Sequence, residues 1–82
     1  MNKWKRLKRI LGRTENVRFE ELTAIAEAYG FQLVRVNGSH HIFKHPQMTE
    51  LLNLQDYKGK AKSYQIRQFL KLLEKYGLDM EE

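Results

Sequence analysis

The stretch FQLVRVNGSHHIFKH, Phe31 to His45, decides the fold. Its first half is aliphatic and β-branched, its second half alternates, and Asn37-Gly38 sits between them. That pattern is a β-hairpin. Asn37-Gly38 supplies the positive φ of a tight turn. Pro46 follows and ends the second strand. The same stretch holds all three histidines of the chain, His40, His41 and His45. Three imidazoles within six positions raise the question of metal binding, proton transfer or packing.

Upstream, VRFEELTAIAEAYG places Phe19, Leu22, Ile25 or Ala26, and Tyr29 on one face. The spacing predicts a helix over about 18–29. Glu20 and Glu21 suit the positive end of its dipole, and Gly30 suits its C′ position. Further upstream, KWKRLKRIL puts Trp4, Leu7, Ile10 and Leu11 along a short amphipathic helix with a basic outer face, ended by Gly12. Downstream of the hairpin, TELLNLQDY carries a third, shorter strand near Leu51–Leu54. KGKAK, Lys58 to Lys62, reads as a basic loop. Ser63 is placed to cap a last helix, YQIRQFLKLLEKYG, which buries Ile66, Phe69, Leu70, Leu73 and Tyr76 and ends at Gly77.

The expected fold class is α+β: a three-stranded antiparallel sheet packed on helices in two layers, with an extra N-terminal helix. Residues 1–16 form a basic helical extension, and residues 17–82 form the domain proper. At 82 residues the chain is one domain. It has no apolar run near the roughly 20 residues of a membrane span, and no apolar segment follows its basic start. The absence of cysteine excludes disulfides and thiolate metal sites. A cytoplasmic location is the expectation.

The formal net charge is +5. Seven basic residues, Lys3, Lys5, Arg6, Lys8, Arg9, Arg13 and Arg18, precede Phe19 against the single acid Glu15. Lys58, Lys60 and Lys62 form a second cluster. Such a balance favours a polyanion through phosphate contacts, although solubilising charge looks the same.

Strand alternation separates the imidazoles. His40, Ile42 and Lys44 share one face; His41, Phe43 and His45 share the other. His40 and His41 therefore cannot grip one metal. His41 and His45 stand about 13 Å apart along a strand, too far for metal–ligand bonds of about 2 Å. No metal and no cofactor is expected. Alternation does not say which face is buried, because Ile42 and Phe43 are both core-like. His40, however, follows the hairpin turn, and Gly38 and Ser39 beside it allow a polymer backbone to approach. An imidazole near lysines suits cleavage of RNA by its own 2′-hydroxyl, which needs a base, a proton donor and cationic stabilisation of the phosphorane.

YGFQLVRVNGSHHIFKHP resembles the core of the HicA toxins of HicA–HicB toxin–antitoxin systems. The shared pattern is a helix ending in Gly30-Phe31, a strand, then Gly38-Ser39-His40-His41 and alternating apolar residues; IRQFLKLLEKYGL resembles the family's last helix, closing on Gly77-Leu78. The resemblance covers about residues 17–78. It implies a double-stranded-RNA-binding-like α–β–β–β–α fold and an endoribonuclease, or mRNA interferase, acting on messenger RNA. It implies that His40 is the catalytic histidine and that a HicB-type antitoxin masks the site. DNA is met only indirectly, through the antitoxin complex. Where many members have a Val-Pro-x-His-like stretch, this chain has LLNLQDYKGKAKSYQ.

The residues then take these expected roles. His40 is the general acid or base. Gly38 and Ser39 admit the RNA backbone, Ser39 orients the imidazole or the phosphate, and Lys44 on the same strand face as His40 stabilises the phosphate. Lys58, Lys60 and Lys62 hold the RNA backbone, as a lysine cluster does at the same place in double-stranded-RNA-binding domains. His41 is structural and His45 a second candidate for proton transfer. The competing class is a non-catalytic RNA-binding module, which needs the lysines and not His40. A third is a protein-interaction domain with no RNA affinity.

Overall fold

A computed structural model of the chain describes residues 17–78. The helix expected within residues 3–11 lies outside the described residues. The elements run β1 (Val17–Arg18), α1 (Phe19–Ala28), β2 (Gln32–Asn37), β3 (His40–Lys44), β4 (Leu52–Gln55), β5 (Lys60–Ala61) and α2 (Ser63–Tyr76). β2, β3 and β4 form an antiparallel sheet in that order, and β1 pairs with β5 in a second, two-stranded sheet. The arrangement is α+β and consistent with a double-stranded-RNA-binding-like fold.

The hairpin is set by its turn. Asn37 pairs with His40, so the two loop residues are Gly38 and Ser39. Gly38 has φ +62, and Ser39 is not among the residues with positive φ. Positive φ at the first loop position alone is the type II′ pattern, which matches the right-handed twist of the strands. The turn expected at Asn37-Gly38 is thus shifted by one residue, with Asn37 in the strand. Farther along, Val34 is an extra residue between Leu33, opposite Phe43, and Arg35, opposite Ile42. This bulge lets Leu33 keep the inner face while Arg35 takes the outer one.

Both helices pack on the inner face. Leu22, Ile25 and Ala26 of α1, Ile66, Phe69 and Leu73 of α2, and Phe43, Leu52 and Leu54 of the sheet form one buried cluster with Phe31. Each helix closes on a glycine. Phe31 N–H bonds the Ala26 carbonyl and Gly30 N–H bonds the Glu27 carbonyl, both satisfying α1's last turn. Gly77, at φ 59 and ψ 39, does the same for α2, with Leu78 N–H on the Leu73 carbonyl.

Two local expectations fail. KGKAK is not simply a loop. Tyr57 and Lys60 exchange both backbone hydrogen bonds around Lys58 and Gly59, and both of these have positive φ. That is a type I′ turn, and its exit, Lys60–Ala61, pairs with Val17–Arg18. The same turn caps α1, because Phe19 N–H donates to the Gly59 carbonyl at 2.9 Å. Ser63 is not the cap of α2. Pairing of β5 keeps the chain extended through Lys62, which takes the N-cap position without a side-chain bond, and Ser63 starts the helix.

A buried amide joins α2 to the sheet. Gln65 is 6% exposed. Its Oε1 accepts from Gln55 N–H at 2.7 Å, and its Nε2 donates to the Asn53 carbonyl at 3.4 Å. These two groups lie on β4, an outer strand of its sheet, so the amide stands in for a neighbouring strand. Gln65→Ala leaves them unpaired and is expected to cost about 1–3 kcal/mol. Exposed Gln68→Ala should stay within about 0.5 kcal/mol of the parent. Thermal unfolding of the two variants checks this, and equal midpoints would contradict it.

Candidate functional site

The register assigns each imidazole an environment. His41 shares the inner face with Phe43. Its ring lies 4.8 Å from that of Phe19, centroid to centroid, and its Nδ1 donates to the Ser39 carbonyl at 3.2 Å. His45, 6% exposed, packs 4.9 Å from the Phe31 ring. Its Nε2–H donates to the Tyr29 carbonyl at 2.8 Å, and its Nδ1 accepts from Gln47 N–H at 3.0 Å. Both nitrogens of His45 are therefore committed. The neutral imidazole is part of the wall between α1 and the exit of β3.

His40 is different. It is exposed on the outer face. Its Nδ1 lies 3.1 Å from Asn53 Oδ1, and its Nε2 has no hydrogen-bond partner among the described residues. An amide oxygen only accepts, so Nδ1 carries the hydrogen and Nε2 keeps its lone pair. Asn53 faces Ile42 across the strands and Gln55 faces His40, so the contact is diagonal on one sheet face.

By register, this open face carries Arg35 and Asn37 from β2, His40, Ile42 and Lys44 from β3, and Asn53 and Gln55 from β4. It includes two cations and no carboxylate. Ile42 is only 8% exposed yet lies outside the core cluster. Arg35 and Asn53 flank it on the two neighbouring strands. Arg35 is one pair along from His40, a diagonal of about 7–8 Å between backbones. Lys44 shares the face but stands four residues from His40, about 13 Å along the strand.

The lysine turn abuts the hairpin turn. Asp56 N–H donates to the Ser39 carbonyl at 2.8 Å, and Gln55 Nε2 donates to Ser39 Oγ at 3.3 Å. Ser39 thus binds the two loops together through its backbone and its hydroxyl. Lys58 sits at the tip of its turn with φ 55, and Lys60 is exposed on β5. Lys62 lies with its ammonium 5.0 Å from the centre of the Tyr57 ring. Tyr57 and Tyr64 hydrogen-bond through their hydroxyls. That bond, more than partial burial or the neighbouring charge, holds the Tyr57 phenol above its ordinary value. Asp56 Oδ1 accepts from Gly59 N–H at 2.5 Å, which ties up the one carboxylate of the turn. Gly38 needs its φ rather than space, since a Cβ there would meet nothing within 4 Å.

The structure therefore brings His40, Ser39 and Gly38 against the loop that carries Lys58, Lys60 and Lys62, and leaves Lys44 farther along the sheet. Sequence reasoning missed Asn53 and Arg35. The alternation Leu52-Asn53-Leu54 does signal an outward Asn53, once β4 is known to pair with β3. Arg35 follows in the same way from Asn37, two residues on along β2, once the turn pairs Asn37 with His40. Among the described residues, no three His, Asp or Glu side chains come together as a metal site, and no helix is long and apolar enough to cross a membrane.

The hydrogen bonds predict opposite tautomers, readable by long-range proton–nitrogen NMR at pH about 8, above the ordinary imidazole range near 6.5. His40 is expected as Nδ1–H and His45 as Nε2–H. Asn53→Ala should return His40 toward an Nε2–H mixture and leave His45 unchanged. A His40 signal indifferent to Asn53 would remove the positioning role.

In comparison with known proteins, the family model described as HicA toxin of bacterial toxin–antitoxin systems matches residues 19–75, more than half of the chain. Neither a curated protein nor a solved structure matches.

Proposed function

Because the chain belongs to the HicA family, the toxins of bacterial toxin–antitoxin systems, we propose that it is a metal-independent endoribonuclease that cuts messenger RNA with His40. The observation that carries this reading is the exposed His40 ring. Asn53 holds its Nδ1 at 3.1 Å, and its Nε2 has no hydrogen-bond partner among the described residues, on a sheet face that by register carries no carboxylate.

In the proposed reaction Nε2 takes the proton of a 2′-hydroxyl. The 2′-oxygen attacks the adjacent phosphorus, the bond from phosphorus to the 5′-oxygen breaks, and that oxygen takes a proton from water. The products are a 2′,3′-cyclic phosphate and a 5′-hydroxyl, with later hydrolysis to a 3′-phosphate. Arg35, the cation closest to His40 by register, is suited to the extra charge of the phosphorane. Lys44, farther along, holds a neighbouring phosphate. Lys58, Lys60 and Lys62 hold the backbone where it passes the adjoining turn, and Gly38 and Ser39 keep that approach open. His41 and His45 serve the fold. The toxin pairs with an antitoxin, and we place a HicB-type partner over the His40 face, where it would exclude RNA in the cytoplasm.

RNA cleavage by the purified protein in EDTA tests this. Wild type and Arg67→Ala, a change on exposed α2 away from the sheet face, are expected to cut. His40→Ala is expected to bind RNA with unchanged affinity and to lose at least about 100-fold in rate, the low end for a lost general base. Products with 3′-hydroxyl ends would overturn the mechanism. Binding without cleavage by all three would leave an RNA-binding module instead.

The phosphate contacts have their own readout. Lys60→Gln and Lys62→Gln should each weaken binding and lower the slope of log affinity against log salt by about 0.7, the value for one contact to a single strand. Unchanged slopes would take those lysines out of the interface.

A further inference from the structure

Tyr57 and Tyr64 are left unused by the reaction above. Neither belongs to the core cluster, and Tyr64 is 45% exposed. Their rings stand edge to face, 6.5 Å apart at 71°. Lys62 covers the Tyr57 ring at 5.0 Å, so Tyr64 offers the open aromatic surface. A ring exposed at the start of a helix gives nothing to the interior. Held by a second phenol and flanked by an ammonium, it is a rigid, flat, apolar surface beside a cation.

The location matters as much as the shape. Asp56 is bonded to Ser39 at 2.8 Å, Ser39 precedes His40, and Tyr57 follows Asp56 at one Cα step, about 3.8 Å. The aromatic pair therefore adjoins the junction where the turn before His40 meets the lysine turn. Asp56, next to Tyr57 in the chain, has a carboxylate engaged with Gly59. The raised Tyr57 phenol stays neutral beside phosphates.

We propose that the Tyr64 ring, braced by Tyr57 and flanked by Lys62, is a stacking site for one unpaired base of single-stranded RNA, with Lys62 on that nucleotide's phosphate. The inference rests on the RNA reading above and narrows its substrate class. Every base has a π face, so such a site tolerates sequence. Bases inside a duplex are already stacked on each other and cannot use it. The site therefore selects unpaired segments of messenger RNA.

The test uses the full chain carrying His40→Ala, so that the probe strand stays intact. The probe is a single-stranded RNA with one 2-aminopurine, whose fluorescence is quenched on stacking. Tyr64→Phe keeps the ring and loses the phenol bond; Tyr64→Ala loses both. The Phe variant is expected to bind within about twofold of its parent and to retain the quenching. The Ala variant should bind about 5- to 150-fold more weakly, the span of one base stack, and lose the quenching. Duplex RNA should bind both alike. Equal affinity for all three proteins on the single strand overturns the site. Equal weakening of Phe and Ala also overturns it, and shows that the phenol bond only secures the turn. If the parent binds no RNA at all, this inference and the RNA reading fall together; if it binds without quenching, this one falls alone.

Discussion

The turn at Gly38-Ser39 sets everything that follows in the sheet. A side chain in a strand has only two directions, so a slip of one residue exchanges the faces completely. Positive φ at Gly38 makes the two-residue turn, the turn pairs Asn37 with His40, and the pairing sends His41, Phe43 and His45 inward. A three-residue turn would leave His40 in the loop, pair Ile42 with Val36 on the inner face and turn Phe43 outward. The buried faces enforce the same choice from the other side, because Phe43 is 2% exposed in a cluster fed by both helices. Local turn chemistry and core packing agree on one register, which is what makes it unique.

The candidate site is tied into the framework at several points. Gly59 caps the first turn of α1, Asp56 closes on Ser39, and Gln65 reaches from α2 to the backbone of β4 on both sides of Leu54. Asn53 therefore has its carbonyl held by α2 while its side chain holds His40. The orientation of the exposed imidazole is supported from within the fold. A small domain has limited apolar burial to draw on, so these polar joints add order where the core does not reach.

Much of this was legible in the sequence, because periodicity and punctuation are strong signals over long elements. α1 and α2 follow from their apolar stripes, and Gly30 and Gly77 mark their ends. What was not legible depends on partners far along the chain. β5 is two residues long and exists only because Val17–Arg18 lies beside it. Its pairing then moved the start of α2 to Ser63. The face of His40 was ambiguous because Ile42 and Phe43 are equally apolar, and Ile42 does become buried, on the outer side. Leu33 keeps the inner face only through the bulge at Val34, which no residue in QLVRVN announces, whereas Arg35 follows Asn37 by alternation once the turn is known. Gly38-Ser39-His40 was found from its own chemistry, whereas Asn53 required the β3–β4 register.

The three clustered imidazoles resolve into three uses of one side chain, distinguished by their hydrogen bonds. His45 gives one nitrogen to a carbonyl and the other to an amide N–H, and so bridges two backbone segments as a neutral ring. His41 gives one nitrogen to the carbonyl of its own turn and lays its ring on Phe19. Among the described residues, only His40 has a side-chain acceptor on one nitrogen and no partner for the other. A backbone carbonyl would orient it equally well, but the carbonyls around it belong to the sheet ladder, and the open face provides side chains alone. Asn differs from a carboxylate there, because it fixes the hydrogen on Nδ1 without adding negative charge to the face of Arg35 and Lys44. By register, the sheet face that carries His40 and its Asn53 acceptor holds Arg35 and Lys44 and no carboxylate.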